Sequence, residues 1–256
     1  MANESAQALM EAVAEVARLA GDVALRHFRE GVTVEWKEDR TPVTEADRNA
    51  ERTARAWIED RFPHDGILGE EFGETRAGAP RRWLLDPIDG TKTFIRGVPL
   101  WGTLVALMEG DRVLAGAAYF PPVQERLVAA PGAGAFWNGN RCQVSAISDL
   151  AAATFLATDT EFKDPQRALR WRELTSRSLL SRTWGDCFGY LLLATGRAEV
   201  MIDDVLSPWD AAALMPIIEE AGGVFTDWSG QRTCFGGSAI GTNRALDSQV
   251  RGALIR

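Results

Sequence analysis

The chain has 256 residues, 46% of them hydrophobic, with 28 Lys and Arg against 36 Asp and Glu, a net charge of -8. That supplies a substantial core for one large domain or two small ones. The acidic balance and the lack of a basic run exclude the electrostatic footprint of a nucleic-acid or anionic-lipid binder. Cys142, Cys187 and Cys234 are far apart and form no CxxC pair, which argues against a zinc site; three cysteines also make no disulfide framework. No apolar run is long enough to span a bilayer. Residues 1–30 carry acids early and no continuous apolar stretch, unlike a signal peptide, so a cytoplasmic protein is expected.

In chain order, Leu9, Val13, Val16, Ala20 and Val23 recur at spacings of three and four and predict a helix over Ser5 to Phe28, ended by Gly31. Thr44 followed by Asp47 reads as a helix cap, and the second helix runs to about Phe62. Strand-like pieces follow at Gly66 to Gly69 and Arg82 to Leu85. Leu100 to Met108 and Val113 to Phe120 form a hairpin across Glu109-Gly110-Asp111-Arg112, and Asn138-Gly139 marks a further turn. The second half alternates: a strand at Thr154 to Thr158, a helix at Gln166 to Ser178, an extended piece at Thr183 to Gly185, and a helix at Cys187 to Thr195 closed by Gly196. A strand at Ala198 to Ile202, a helix at Pro208 to Ala221, strands near Val224 and Ala239 and a helix from about Ala245 complete it. The mixture implies layered helices and sheets, with a subdomain boundary near Ser145 to Ala153, hence residues 1–148 and 149–256.

The sharpest chemical feature is Asp86-Pro87-Ile88-Asp89-Gly90-Thr91. The apolar Trp83-Leu84-Leu85 delivers two carboxylates into a turn, and a hard cation such as Mg²⁺ takes oxygen ligands at about 2.0–2.1 Å. Asp86, Asp89 and the Ile88 carbonyl are candidates. Gly90 permits close backbone approach, and a helix starting near Thr91 would aim the Gly90 and Thr91 amides at a phosphate. An EF-hand is excluded, since Ile88 and Gly97 stand where that loop needs oxygen ligands. Glu70-Glu71 follows the apolar Ile67-Leu68-Gly69, and Asp210 sits in the first turn of a predicted helix after Ser207-Pro208-Trp209. Taken singly, these have plain alternatives: an Asp-Pro turn, a solvated acidic loop, an acid complementing a helix dipole.

In combination and in this order the three motifs, with Thr41-Pro42-Val43-Thr44-Glu45-Ala46-Asp47 before them, resemble the inositol monophosphatase family of metal-dependent phosphatases. The resemblance covers nearly the whole chain. It implies an α+β fold, a layered α-β-α-β-α sandwich of the inositol monophosphatase and fructose-bisphosphatase type, usually a homodimer. It implies two or three Mg²⁺ per site. Glu70, Asp86, Asp89, Asp210 and the Ile88 carbonyl would be ligands, Glu70 also serving a weakly held third ion. Asp47 and Thr91 would orient the attacking water, and the Gly90 and Thr91 amides would hold phosphate. Lys37 matches a family lysine near the site. Two cations about 3.5–4 Å apart clamp both oxygens of an in-line displacement, so no side-chain nucleophile is needed.

For the substrate, the segments from Asp89 to Leu107, Trp184 to Val200 and Ser207 to Leu214 resemble the histidinol-phosphate phosphatase branch. Asp186 and Asp203 stand where inositol-specific members have fewer acids, and paired carboxylates suit a cationic leaving group such as histidinol. A simpler role for Asp186 is to cap the helix predicted from Cys187. The other readings are an inositol-1-phosphate or broad sugar-phosphate monophosphatase, a 3′-phosphoadenosine phosphatase, and a non-catalytic metal-binding regulatory protein. The intact acid set argues against the last.

Overall fold

The computed structural model describes residues 5–30, 34–36 and 42–255. Lys37 lies outside the described residues. The elements in order are α1 (Ala6–Glu30), β1 (Val34–Trp36), β2 (Pro42–Thr44), α2 (Glu45–Arg61), β3 (Gly66–Gly69), β4 (Gly73–Thr75), β5 (Arg81–Asp89) and α3 (Thr91–Phe94). Then come β6 (Gly102–Glu109), β7 (Arg112–Phe120), β8 (Glu125–Ala130), β9 (Gly134–Trp137), β10 (Asn140–Arg141), β11 (Thr154–Ala157) and α4 (Pro165–Thr175). The last are β12 (Leu180–Arg182), α5 (Asp186–Ala194), β13 (Val200–Asp203), α6 (Pro208–Glu220), β14 (Val224–Thr226), β15 (Ala239–Thr242) and α7 (Asp247–Leu254).

Two sheets organise the chain. The larger has eight strands in the order β10-β9-β8-β7-β6-β5-β3-β4, and the smaller five in the order β12-β11-β13-β15-β14. Side chains that alternate along a strand go to opposite faces, and that period sorts the core into three layers. Trp83, Leu85, Val105 and Leu107 pack on α1 and α2, against Val13, Val16, Ala17, Ala50 and Ile58. Their neighbours Leu84, Leu104, Ala106 and Met108 face α5 and α6, meeting Leu191, Ala212, Leu214 and Ile218. The same α5–α6 layer receives Leu156, Met201 and Phe225 from the second sheet. The opposite face of that sheet, with Phe155, Val200, Ile202 and Ile240, packs on Trp171 and Leu174 of α4 and Val250 and Leu254 of α7. The architecture is therefore the expected α-β-α-β-α sandwich. Strands buried on both faces read as continuous apolar runs, which is why the central ones are visible in sequence.

The differences from expectation are local. β5 runs on through both acids to Asp89 instead of ending at Leu85 in a turn. The second-half strand lies at Leu180–Arg182, just before the extended piece predicted at Thr183 to Gly185. β8 and β9 were not anticipated; their ladders to β7 and to each other hold them.

Candidate active site

Asp86 and Asp89 are three positions apart, a spacing that in a regular strand sends side chains to opposite faces. The ladder resolves this. Asp86 pairs with Leu104 and Asp89 with Gly102, so β5 spends one more residue than β6 across this step. Such a bulge restores both carboxylates to one side. Pro87 brings no N–H to the ladder, and its carbonyl instead accepts from Thr103 Oγ1 at 2.8 Å. Asp86 is 3% exposed, and its Oδ1 accepts from Ile88 N at 2.9 Å.

Asp210 arrives from the other half of the chain on the first turn of α6. Ser207 N donates to its Oδ2 at 2.9 Å, while no donor reaches the buried Oδ1. One oxygen each from Asp86, Asp89 and Asp210 lies within 4.8 Å of the others. Glu70 follows β3, the parallel neighbour of β5; its N–H donates to Leu85 O at 3.1 Å. It lines the same cavity of about 660 Å³ with the three aspartates, outside that 4.8 Å grouping.

These acids repel one another. Burial, then the charges of Glu70 and Asp210, push the Asp86 carboxyl well above its ordinary range. Burial, then Asp186 and Asp210, do the same to Asp89. Burial raises Asp210 to about 7. An orphaned carboxylate oxygen inside an all-oxygen cluster fits one or more hard divalent cations and little else. The same shifts fix a sign. A carboxyl whose folded pKa lies above its unfolded value near 4 costs stability as pH rises from about 4 through the folded value, about 7 for Asp210. The chelated protein is therefore expected to melt about 5 °C or more lower at pH 8 than at pH 5.5, and Mg²⁺ is expected to flatten the profile. Thermal melts with EDTA or Mg²⁺ check this; a chelated midpoint that rises with pH overturns it.

Next along the chain, Gly90 has φ +92° and opens α3. A Cβ there would stand 3.0 Å from Thr93 Oγ1, 3.1 Å from Leu100 O and 3.2 Å from Asp186 Oδ2. Its carbonyl accepts from Thr93 N and Phe94 N, both at 2.9 Å. The Gly90 and Thr91 amides, at the start of the turn, have no acceptor within the helix. Lys92 and Arg96 line the cavity beside them. Thr91 Oγ1 donates to Ile88 O at 3.0 Å. Asp47 is 1% exposed, and its Oδ2 accepts from Thr44 N at 2.7 Å and Thr44 Oγ1 at 2.6 Å. No direct hydrogen bond joins Asp47 to Thr91 among the described residues.

On the leaving-group side, α5 starts at Asp186, whose φ is +48°. Gly185 is the residue before the helix and no side-chain cap forms there, so Asp186 is not a cap. Its N–H donates to Thr158 Oγ1 at 2.7 Å, and its carboxylate sits over Gly90. Burial raises Asp186 to about 6, opposed by Lys92. The next amide, Cys187 N, donates to Asp89 Oδ2 at 2.5 Å, tying α5 to the cluster. Asp203, expected to touch substrate, does not line the cavity. It is 4% exposed, and Tyr190 Oη donates to its Oδ2 at 2.7 Å. Burial lifts it to about 7, opposed by Thr158 and Tyr190. Thr158 stands between the two acids, its Oγ1 accepting from the Asp186 N–H and its hydroxyl offsetting part of the Asp203 shift. Sequence reasoning missed Thr158; its signal, a hydroxyl at the C-terminal end of a strand, is weak. Arg182 is exposed on β12 and absent from the cavity wall.

The family model described as "Inositol monophosphatase family" matches residues 5–254. The chain is 44% identical over 243 residues to a histidinol-phosphatase of Chlorobaculum parvum, covering 94% of each chain. It is 38% identical over 223 residues to a histidinol-phosphatase of Mycobacterium tuberculosis, covering 85% of this chain and 86% of that one. Among solved structures, the extragenic suppressor protein suhB of Bartonella henselae superposes with a TM-score of 0.91 at 29% identity, over 96% of this chain and 98% of that one. With the layered fold and the carboxylate cluster already in place, these matches settle the kinship: the chain belongs to the inositol monophosphatase family.

Proposed function

We propose that this phosphatase hydrolyses histidinol phosphate to histidinol and inorganic phosphate with Mg²⁺ as its cation. The observation that carries the reading is the Asp186 carboxylate, 3.2 Å from the point where a Cβ on Gly90 would stand. An acid this close to the phosphate cradle repels a second anion and attracts a cationic leaving group. The relatives named histidinol-phosphatases support it.

Asp86, Asp89, Asp210, Glu70 and the Ile88 carbonyl would hold the cations. Bound there, divalent ions acidify water and neutralise charge developing on phosphate and leaving oxygens. The Gly90 and Thr91 amides and Lys92 bind the phosphate oxygens. Thr91 Oγ1 already donates to Ile88 O, which leaves its lone pairs to accept from the attacking water. In this reading Glu70 takes that water's proton, and Asp47 adds negative potential beside it. A new P–O bond forms to water, the ester P–O bond breaks in line, and the departing oxygen picks up a proton. Val98 and Val205 line the same cavity as Asp186 and in this reading take the imidazole end. The reading includes a homodimer, as the resemblance implies, and a cytoplasmic setting; among the described residues no helix is long and apolar enough to cross a membrane.

The test is phosphate release from histidinol phosphate, inositol 1-phosphate, fructose 1,6-bisphosphate and 3′-phosphoadenosine 5′-phosphate, with and without Mg²⁺. The expected result is cation-dependent turnover with kcat/KM at least about a hundredfold higher for histidinol phosphate. Preference for the inositol ester, or equal rates across the panel, removes the substrate assignment.

A further inference from the structure

Glu51 is a fully buried carboxylate, 0% exposed, on the α2 face beneath the Glu70 loop, and no step above uses it. Its Oε1 accepts from Arg55 Nε at 2.7 Å and from Phe72 N at 3.3 Å, and its Oε2 from Glu71 N at 2.8 Å. Arg55 continues the tie: Nη2 donates to Gly73 O at 2.5 Å. On the other flank the chain passes so close that a Cβ on Gly69 would stand 2.0 Å from Glu51 Oε1; only glycine fits. Glu70 is therefore held on both sides by one ion pair from α2, and from across the sheet by its own N–H bond to Leu85 O.

A buried ion pair is weak evidence for stability, since desolvation offsets most of the attraction. Three of the four bonds described for Glu51 and Arg55 beyond their own contact go to the backbone of residues 71–73, the loop that follows Glu70 directly. We propose that Glu51 and Arg55 are positioning residues that hold Glu70 at the mouth of the aspartate cluster and thereby set the affinity of the site for its cation. This rests on Glu70 being a cation ligand, and adds to that reading the part of the fold that fixes where its carboxylate stands.

The variant is Glu51→Gln, which keeps the shape but turns an amide N–H toward the Glu71 N–H in place of an acceptor. Two readouts are taken: calorimetric titration of Mg²⁺ into the cation-free protein without substrate, and the Mg²⁺ concentration giving half-maximal phosphate release. Both are expected to rise about tenfold, as with other groups that orient a metal ligand. The kcat at saturating Mg²⁺ is expected to stay within about twofold. Arg55→Lys keeps a cation beside Glu51 but loses the bond to Gly73 O, and is expected to shift both in the same direction by about threefold. Unchanged Mg²⁺ affinity in folded Glu51→Gln, whatever its melting temperature, overturns the proposal; if that variant does not fold, wild-type affinity in Arg55→Lys does so. Wild-type protein that binds no Mg²⁺ removes the cation reading itself, a separate failure.

Discussion

Replacing Asp89 with Asn is expected to lower Mg²⁺-dependent phosphate release by more than about a hundredfold while making the cation-free protein more stable. The first half follows from the cluster, where Asp89 is one of three acids with oxygens inside 4.8 Å. Groups that only orient a metal ligand cost ten- to a hundredfold when lost, so the ligand itself costs at least as much. The second half follows from charge. Asp89 is driven well above its ordinary range by burial and by Asp186 and Asp210, so its ionised form opposes folding at neutral pH when no cation is present. An amide in its place removes that opposition, and its oxygen still accepts from Cys187 N. A gain of about 1–2 kcal/mol is expected in EDTA, a melting midpoint about 3–6 °C higher. Melts with EDTA and with Mg²⁺ check both halves. Near-normal turnover with Mg²⁺ excludes Asp89 as a ligand, and a less stable chelated variant refutes the charge argument.

Replacing Asp186 with Asn is expected to lower kcat/KM for histidinol phosphate by about 2 kcal/mol, roughly thirtyfold, through loss of one close charge pair. Hydrolysis of a small ester with an uncharged leaving group, such as glycerol phosphate, is expected to stay within about threefold. Asn is the apt replacement because Asp186 has φ +48°, a region that Asn enters readily and Ala does not. The N–H bond to Thr158 is thus preserved. In the wild type the same discrimination is expected to fade as pH falls through about 6, where Asp186 takes up its proton. Equal losses on both esters would show that Asp186 serves the phosphate end or the fold.

The sequence disclosed the participants better than the geometry that joins them. Thr44 and Asp47 announced the start of α2, and the structure shows both backbone and hydroxyl of Thr44 bonded to Asp47. The central strands were legible because burial on two faces leaves unbroken apolar runs, as in Leu104 to Met108. β8 was not: Glu125–Ala130 is short, and its strand state comes from pairing with β7. The motif named Asp86 and Asp89, but their convergence depends on a bulge defined by β6, which lies beyond the motif. Asp203 shows the same limit. The resemblance put it with Asp186 on the leaving-group side, while in the structure Tyr190, on a neighbouring helix, donates to its carboxylate. A contact made across layers leaves no mark in a local pattern.

The middle helical layer has a consequence for the timing of activity. β5 is synthesised early, but α6, which brings Asp210, follows most of the chain, and proteins emerge from the ribosome amino end first. Until α5 and α6 dock on the completed large sheet, Asp89 lacks the amide of Cys187 and the two β5 carboxylates lack Asp210. A nascent chain therefore carries no competent centre, and hydrolysis begins only when the last interior slab is seated.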